Sequence, residues 1–371
     1  RAAAASFAVP AQNIVYADVD GNIGYQAPGD IPIRGGDGRY PVAGWDSRND
    51  WTGRIPFEEL PHVLNPPAGY VVAANQRVIG DRYPYPITSD WDFGYRSQRI
   101  DDLLTQAPGP LDGEAVAALQ LDSYNGNAPH LTPYLFGTAV NQGAAKARDL
   151  LREWDFTQPE GSPAAAYYNA VWRHLLTRTF DELAAENAPD GGGRWFEVVR
   201  GLLAIPDSPW WDIRATAVTE TRDDVLRTAM EDAATELTTR LGPDPVNWRW
   251  GDLHTLTLRH QTFGRSGLGP MEWLFNRGPY PTSGGNAIVN ANAWNAREGY
   301  QVTWVPSMRM VVDLGDLDRS RWINLTGSSG HAFSRHYVDQ TQLWRAGGTT
   351  PMRWDAGEIA RTARHTQRLV P

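Results

Sequence analysis

The period of hydrophobic spacing changes twice along this chain, and few folds accommodate both changes. From Asn13 to Gln26 the residues alternate as in strands: Ile14-Val15-Tyr16-Ala17-Asp18, a turn at Asp20-Gly21-Asn22, then Ile23-Gly24-Tyr25. That is the signature of a hairpin. Helical spacing takes over in residues 95–106, 112–122, 144–154, 164–186 and 219–241. After Trp248-Arg249-Trp250-Gly251-Asp252-Leu253-His254 the chain reads as β again, with strands expected at 287–290, 301–304, 308–314 and 322–325. A β block, a helical block and a second β block predict an α+β fold closed by distant segments, with the two β ends sharing a sheet system and a large helical insertion between them. The expected organisation is a single domain over 1–371. Within it, 1–94 is mainly β and loop, 95–245 mainly helical, and 246–371 mainly β with a C-terminal tail.

Two segments of the first block stand out. Residues 28–67 are rich in Gly and Pro, with little periodicity over about forty positions. Such a stretch is too long for an ordinary loop and is expected to pack against the body and carry function. Tyr70-Val71-Val72-Ala73-Ala74 is a continuous apolar run and predicts a buried central strand ending at Asn75. An amide at a strand end has two readings. It is a turn former, or its N–H donors stabilise a carbonyl oxygen that becomes negative in a tetrahedral intermediate.

Several chemistries find no support. The net charge of -9, without long single-sign blocks, argues against nucleic acid or an anionic membrane surface as partner. No apolar run reaches the roughly 18 to 20 residues of a membrane-spanning helix. With no cysteine there is no disulfide, thiolate metal site or Cys nucleophile. His254 and His260 lack the spacing of a first-row metal site, and Asp18-Val19-Asp20-Gly21-Asn22 reads as hairpin chemistry rather than a calcium loop. Glu58-Glu59 and Asp90-Trp91-Asp92 are adjacent carboxylates of the kind that point apart into solvent, not a glycosidase pair. Gly327-Ser328-Ser329-Gly330 misses the nucleophile-elbow register by one residue, and Ser6 lacks a partnered His. The sixteen Trp and fourteen Tyr fit a filled core, a sugar platform or an acyl pocket.

An ordered set of segments narrows these choices. Residues 10–25, Pro41-Val42-Ala43-Gly44-Trp45, Ile55-Pro56-Phe57-Glu58-Glu59-Leu60-Pro61, Asn65-Pro66 and Gly69-Tyr70 before Asn75 form its first half. Trp250-Gly251-Asp252-Leu253-His254-Thr255, Gly284-Gly285-Asn286, residues 306–313, Gly327-Ser328-Ser329-Gly330-His331 and residues 334–340 form its second. Together they resemble the β-subunit of the penicillin acylase family, the N-terminal-nucleophile (Ntn) amidohydrolases. The resemblance implies an αββα sandwich, incomplete in this chain. It also implies a β-subunit N-terminal Ser that attacks an amide, with its own α-amine as base. By that resemblance Asn75 is the oxyanion-hole Asn and Arg96 the Arg that supports the site. Gln12 would edge the acyl pocket, and Gly38 would offer a carbonyl to a structural calcium, no cofactor being needed for catalysis.

The family nucleophile lies well over a hundred residues before the position matching Gln12, and neither Arg1 nor Ser6 matches it. The chain is therefore expected to be the C-terminal portion of a β-subunit and inactive alone, its start at Arg1 reading as an internal cut. The implied partners are an α-subunit, the earlier part of the β-subunit and a small N-acyl substrate such as a β-lactam side-chain amide or an N-acyl homoserine lactone. The implied location is periplasmic or secreted. From another class, the alternative is a ligand-binding or scaffold protein that kept the fold without the nucleophile.

Overall fold

The structure is a computed structural model that describes residues 1–369. Two compact units are formed, Arg1–Thr105 and Gln106–Pro371.

In the first unit, β1 (Ile14–Ala17) and β2 (Ile23–Gln26) pair antiparallel, with Ile14 opposite Gln26 and Ala17 opposite Ile23. This is the expected hairpin. Asp18 closes its turn: Oδ1 accepts from the backbone N–H of Asp20 (3.0 Å) and Asn22 (2.9 Å), and Gly21 takes the positive φ of 85°. These bonds hold the Asp18 carboxyl below the usual range, led by the Tyr16 hydroxyl. The stretch from 28 to 67 is more regular than its composition suggests. It contributes β3 (Pro32–Arg34), β4 (Trp51–Arg54) and β5 (His62–Leu64), which pair as β3 with β4 and β2 with β5. Ile31, Ile55 and Leu60 form a small core here, covered by Ile33, Phe57, Tyr85 and Ile87.

The expected strand at 70–74 does not form. Only Ala74 in it is buried, and the adjacent ladder contact is a lone bridge between Gln76 and Asp92. Side chains satisfy its backbone instead. The Gln76 amide accepts from Ala74 N–H (2.7 Å) and donates to Val72 C=O (2.7 Å), and Arg96 donates to Ala74 C=O (2.9 Å). Once those groups are paired there is no need for a neighbouring strand. Helix α1 (Tyr95–Thr105) belongs to this unit although helical spacing begins at 95, because Tyr70 bonds Asp101 (2.5 Å) and Arg96 bonds residues 74 and 75.

The second unit begins with α2 (Gly113–Leu119), α3 (Ala128–Gly137), α4 (Gln142–Asp149), α5 (Pro163–Thr179), α6 (Gly193–Leu203) and α7 (Arg222–Leu241). Two of these, α3 and α6, escaped the sequence reading. Pro133 lies inside α3, and the Gly run at 191–193 masks the start of α6. Helix α5 is the hub: residues 164–172 are buried all round. Ser162 caps it, accepting from Ala165 N–H (3.1 Å), and Pro163 occupies the first turn. Against it lies α7, opened by a capping box between Thr221 and Asp224, with Val225, Leu226, Ala229, Met230, Ala233 and Leu237 on the buried face.

The chain continues through α8 (Trp250–Leu253), β6 (Thr255–Leu258), α9 (Gly269–Phe275), β7 (Arg277–Pro281), β8 (Ala293–Trp294), β9 (Val302–Trp304), β10 (Met308–Val311), β11 (Arg321–Asn324), α10 (Thr341–Arg345), β12 (Thr350–Pro351) and α11 (Ala356–Thr362). The sheets are β10-β11-β12, β6-β7 and β8-β9. Each described sheet is built within one unit, whereas the sequence pattern led us to expect the two β blocks to share one. Residues 287–290 are turns rather than the expected strand. Ala287 has a φ of 54°, which a strand cannot accommodate.

Buried beneath α8 is His254, fully enclosed and stacked on Trp250 at 4.5 Å between ring centroids. Its Nδ1 faces Tyr300 C=O at 2.9 Å and therefore carries the proton, since a carbonyl only accepts. Burial pushes its pKa from 6.5 down to about 4, against a smaller upward pull from the backbone of Tyr300 and Asn292. Between those values the unfolded chain binds a proton that the folded one refuses. Stability from this group is complete above about pH 6.5 and is lost as pH falls toward 4. We expect about 2 kcal/mol of unfolding free energy to disappear between pH 7 and pH 5 on this account. Denaturant titrations at both pH values should show that loss in the parent and a loss smaller by this amount in His254→Gln.

Candidate active site

A helix start and a strained residue together make the candidate site. Asp92 accepts from Gly94 N–H (3.0 Å), and Gly94, with a φ of 88°, turns the chain into α1. Arg96 thereby falls on the first turn of that helix, beside the segment ending at Asn75. Its Nη2 reaches three acceptors: Asn75 Oδ1 at 2.8 Å, Ala74 C=O at 2.9 Å and Asp92 Oδ2 at 3.0 Å. Asp92 supplies the counter-charge that keeps a guanidinium favourable in a site only one-fifth exposed. The backbone closes the loop from the other side, with Asp92 N–H donating to Asn75 C=O (2.9 Å).

Asn75 has a φ of 67°, in the left-handed region where Asn is among the best tolerated residues after glycine. Its side-chain orientation is settled by chemistry. A guanidinium has donors only, so the amide atom facing Arg96 must be the oxygen. The two Nδ2 donors then point elsewhere, and among the described residues no protein acceptor takes them. An amide clamped by its oxygen and unsatisfied at its nitrogen is equipped to donate to a ligand.

Asn75 lines a cavity of about 540 Å³ in the first unit, together with Gln12, Asn13, Tyr25, Ile31, Ile87 and Trp91. The hairpin brings Gln12 there, since it lies two residues before β1. Tyr25 on β2 donates its hydroxyl to Asn13 Oδ1. Burial raises the Tyr25 pKa, which keeps the phenol a neutral donor. The sequence-derived Asn75, Arg96 and Gln12 are thus brought into one neighbourhood.

Gly38 is not among the residues that line this cavity. It occupies an exposed loop with a φ of 71°, against the aliphatic stem of Arg34. The adjacent carboxylate, Asp37, faces Arg39 at 3.8 Å. Among the described residues no group of three or more His, Cys, Asp or Glu side chains could hold a metal ion. The residues around Gly38 do not fit a calcium cradle. Gly327 and Ser329 donate their backbone N–H groups to Tyr337 C=O (3.0 Å) and His336 C=O (3.0 Å), respectively. A Cβ at Gly327 would meet the His336 carbonyl at 1.8 Å, which accounts for the glycine.

Two contributors went unread in the sequence. Asp92, dismissed there as a solvent-facing carboxylate, is four residues before Arg96, the spacing of a helical ion pair, and that was its available signal. Tyr70, through Asp101, ties the segment before Asn75 to the next turn of α1. No sequence pattern announces a contact of that kind.

A family model described as penicillin amidase matches residues 1–361. The chain is 30% identical over 363 residues to a penicillin acylase 2 proenzyme from Pseudomonas sp. (strain SE83), covering 97% of this chain and 46% of that protein. It is 29% identical over 359 residues to the acyl-homoserine lactone acylase QuiP of Pseudomonas syringae pv. syringae, covering 90% of this chain and 43% of that protein. The chain therefore spans less than half the length of these curated relatives. Its structure resembles that of a thermostable penicillin G acylase from Alcaligenes faecalis, with a TM-score of 0.64 and 20% identity over 99% of this chain and 69% of that one. The Ntn-hydrolase fold expected from the sequence is thus shared.

Proposed function

Because the chain belongs to the penicillin amidase family, we propose that it forms part of an enzyme that hydrolyses the amide bond of N-acylated small molecules, β-lactam side-chain amides or related N-acyl compounds. In this reading Asn75 donates to the oxyanion and Arg96 holds Asn75 in place. The observation that carries it is the clasp: Arg96 fixes the amide oxygen of Asn75 at 2.8 Å and leaves Nδ2 without a protein acceptor, beside a cavity.

The chemistry follows from charge. When a nucleophile adds to the scissile carbonyl, negative charge moves onto its oxygen. A pre-oriented N–H donor then stabilises the transition state more than the substrate. The nucleophile is assigned to the N-terminal Ser of a processed subunit, outside residues 1–371, with its α-amine taking the hydroxyl proton and delivering it to the leaving amine. A second oxyanion donor and an α-subunit complete the site in this reading, and the assembled enzyme is placed in the periplasm or outside the cell. Gln12 would border the acyl group.

The test is to express the complete coding sequence that contains this chain and follow amine release from N-phenylacetyl and N-alkanoyl substrates of graded length. Turnover is the expected result. Binding of these compounds without any amine release would replace this reading with a ligand-binding protein.

A further inference from the structure

The cavity beside Asn75 carries one positive charge that no carboxylate pairs with among the described residues. Its lining includes two charged residues, Asp30 and Arg34. Asp30 is already engaged by Arg54. Arg34 has no carboxylate within ion-pair distance among the described residues. Its protein partners are a single long bond from Nη1 to Pro32 C=O (3.4 Å) and the face of Trp51, 5.8 Å from the guanidinium carbon. A guanidinium has five N–H donors, so most of its hydrogen-bonding edge is uncommitted.

The local backbone holds this residue in place. The register between β3 and β4 shifts between Ile33 and Arg34, an irregularity that re-aims a side chain relative to its neighbours on the strand. Gly38 lets the following loop press on the Arg34 stem, where an added Cβ would meet Cδ at 3.2 Å. The Trp51 ring lies 5.8 Å from the guanidinium carbon, within cation–π range. Apolar side chains at Ile31, Val78, Ile87 and Trp91 complete the wall. Asn75 and Arg34 are thus two donors on one cavity, the first neutral and the second cationic.

We propose that Arg34 is a specificity-determining residue that recognises a carboxylate on the substrate, so that the site prefers anionic N-acyl compounds, such as N-acyl amino acids and β-lactam acids, over neutral N-acyl lactones. This rests on the hydrolase reading for the location of the scissile amide. The cation attracts the carboxylate by a charge-assisted, fork-shaped contact that a lactone cannot make. Its effect falls on substrate capture, hence on KM, because the carboxylate bears the same charge in the ground state and the transition state.

The experiment compares N-acyl homoserine with its own lactone, two compounds that share the acyl chain and differ by opening of the ring to a free carboxylate and hydroxyl. With the complete protein, kcat/KM should favour the open acid. Arg34→Ala should lower kcat/KM for the acid by roughly 10- to 100-fold, mostly through KM, and leave the lactone within about twofold. Arg34→Lys should recover part of the loss. An equal fall for both compounds, or no fall for either, would overturn the assignment. Equilibrium binding of N-phenylacetylglycine and its methyl amide to the parent and Arg34→Ala proteins gives an arm that needs no turnover. Selective loss of acid binding in a protein with no amidase activity would keep the carboxylate site and sink the hydrolase reading, whereas unchanged binding of the acid would sink the site itself.

Discussion

Asn75→Ala is expected to lower kcat for amide hydrolysis by the complete enzyme by about two to three orders of magnitude, the usual cost of removing one oxyanion donor, about 3 to 4 kcal/mol of transition-state stabilisation. KM should change little, because a neutral carbonyl interacts far more weakly with the donor than the developing oxyanion does. Folding should be only modestly affected. The residue is exposed and its side chain makes one hydrogen bond among the described residues, although alanine gives up the tolerance of Asn for a φ of 67°. Circular dichroism and thermal unfolding would separate that small backbone cost from lost chemistry. Asn75→Asp is the sharper companion: it keeps shape and backbone tolerance but replaces the donor with a carboxylate, which repels the oxyanion while attracting Arg96. An Asn75→Ala enzyme turning over at near-parent rate would remove Asn75 from the mechanism.

The second large effect is on stability. Trp250 is completely buried and does four things at once. Its indole stacks on His254, meets Trp294 and Tyr300 edge-on at 6.0 and 6.3 Å, and donates Nε1–H to Gly284 C=O at 3.0 Å. Beside it, Gly251 has no room for a Cβ, which would lie 2.9 Å from both Glu160 and Pro281 side chains, so the helix turn cannot slide inward to refill the space. Trp250→Ala should therefore cost about 3 to 5 kcal/mol, the range for large cavities that do not collapse. For a unit of this size that lowers Tm by roughly 10 °C. Trp273→Ala in the same unit is the control. It is 81% exposed and should shift Tm by no more than about 1 °C. A thermal melt followed by far-UV circular dichroism reads both.

These two sites also mark what the sequence made legible. Elements that form through local spacing were readable, namely the hairpin turn around Asp18 and the helical periods of α1, α5 and α7, whereas Arg96 was singled out by the family resemblance alone. Residues 70–74 were misread because an apolar run reports burial, not the source of its hydrogen bonds, and Gln76 and Arg96 replace the strand that periodicity calls for. Residues 287–290 failed for a related reason, since the backbone turns at Ala287 in a conformation its composition does not advertise. Helix α3 was hidden by its internal Pro133. Asn75 is the instructive case. Spacing alone left it between turn former and donor, and its geometry has the features of both, a left-handed backbone with a free amide.

The segment carrying Asn75 is pinned to α1 at two points, Tyr70 to Asp101 and Asn75 to Arg96, so two residues five positions apart on the segment meet two residues five positions apart on the helix. Two rungs on one helix restrain the segment against rotation relative to α1. Its orientational freedom is surrendered when the chain folds, not when a substrate arrives. If Asn75 is the donor of the proposed hydrolase, substrates of different length should then meet it in the same orientation, and differences among them should surface in residence time and capture rather than in the rate of the bond-breaking step.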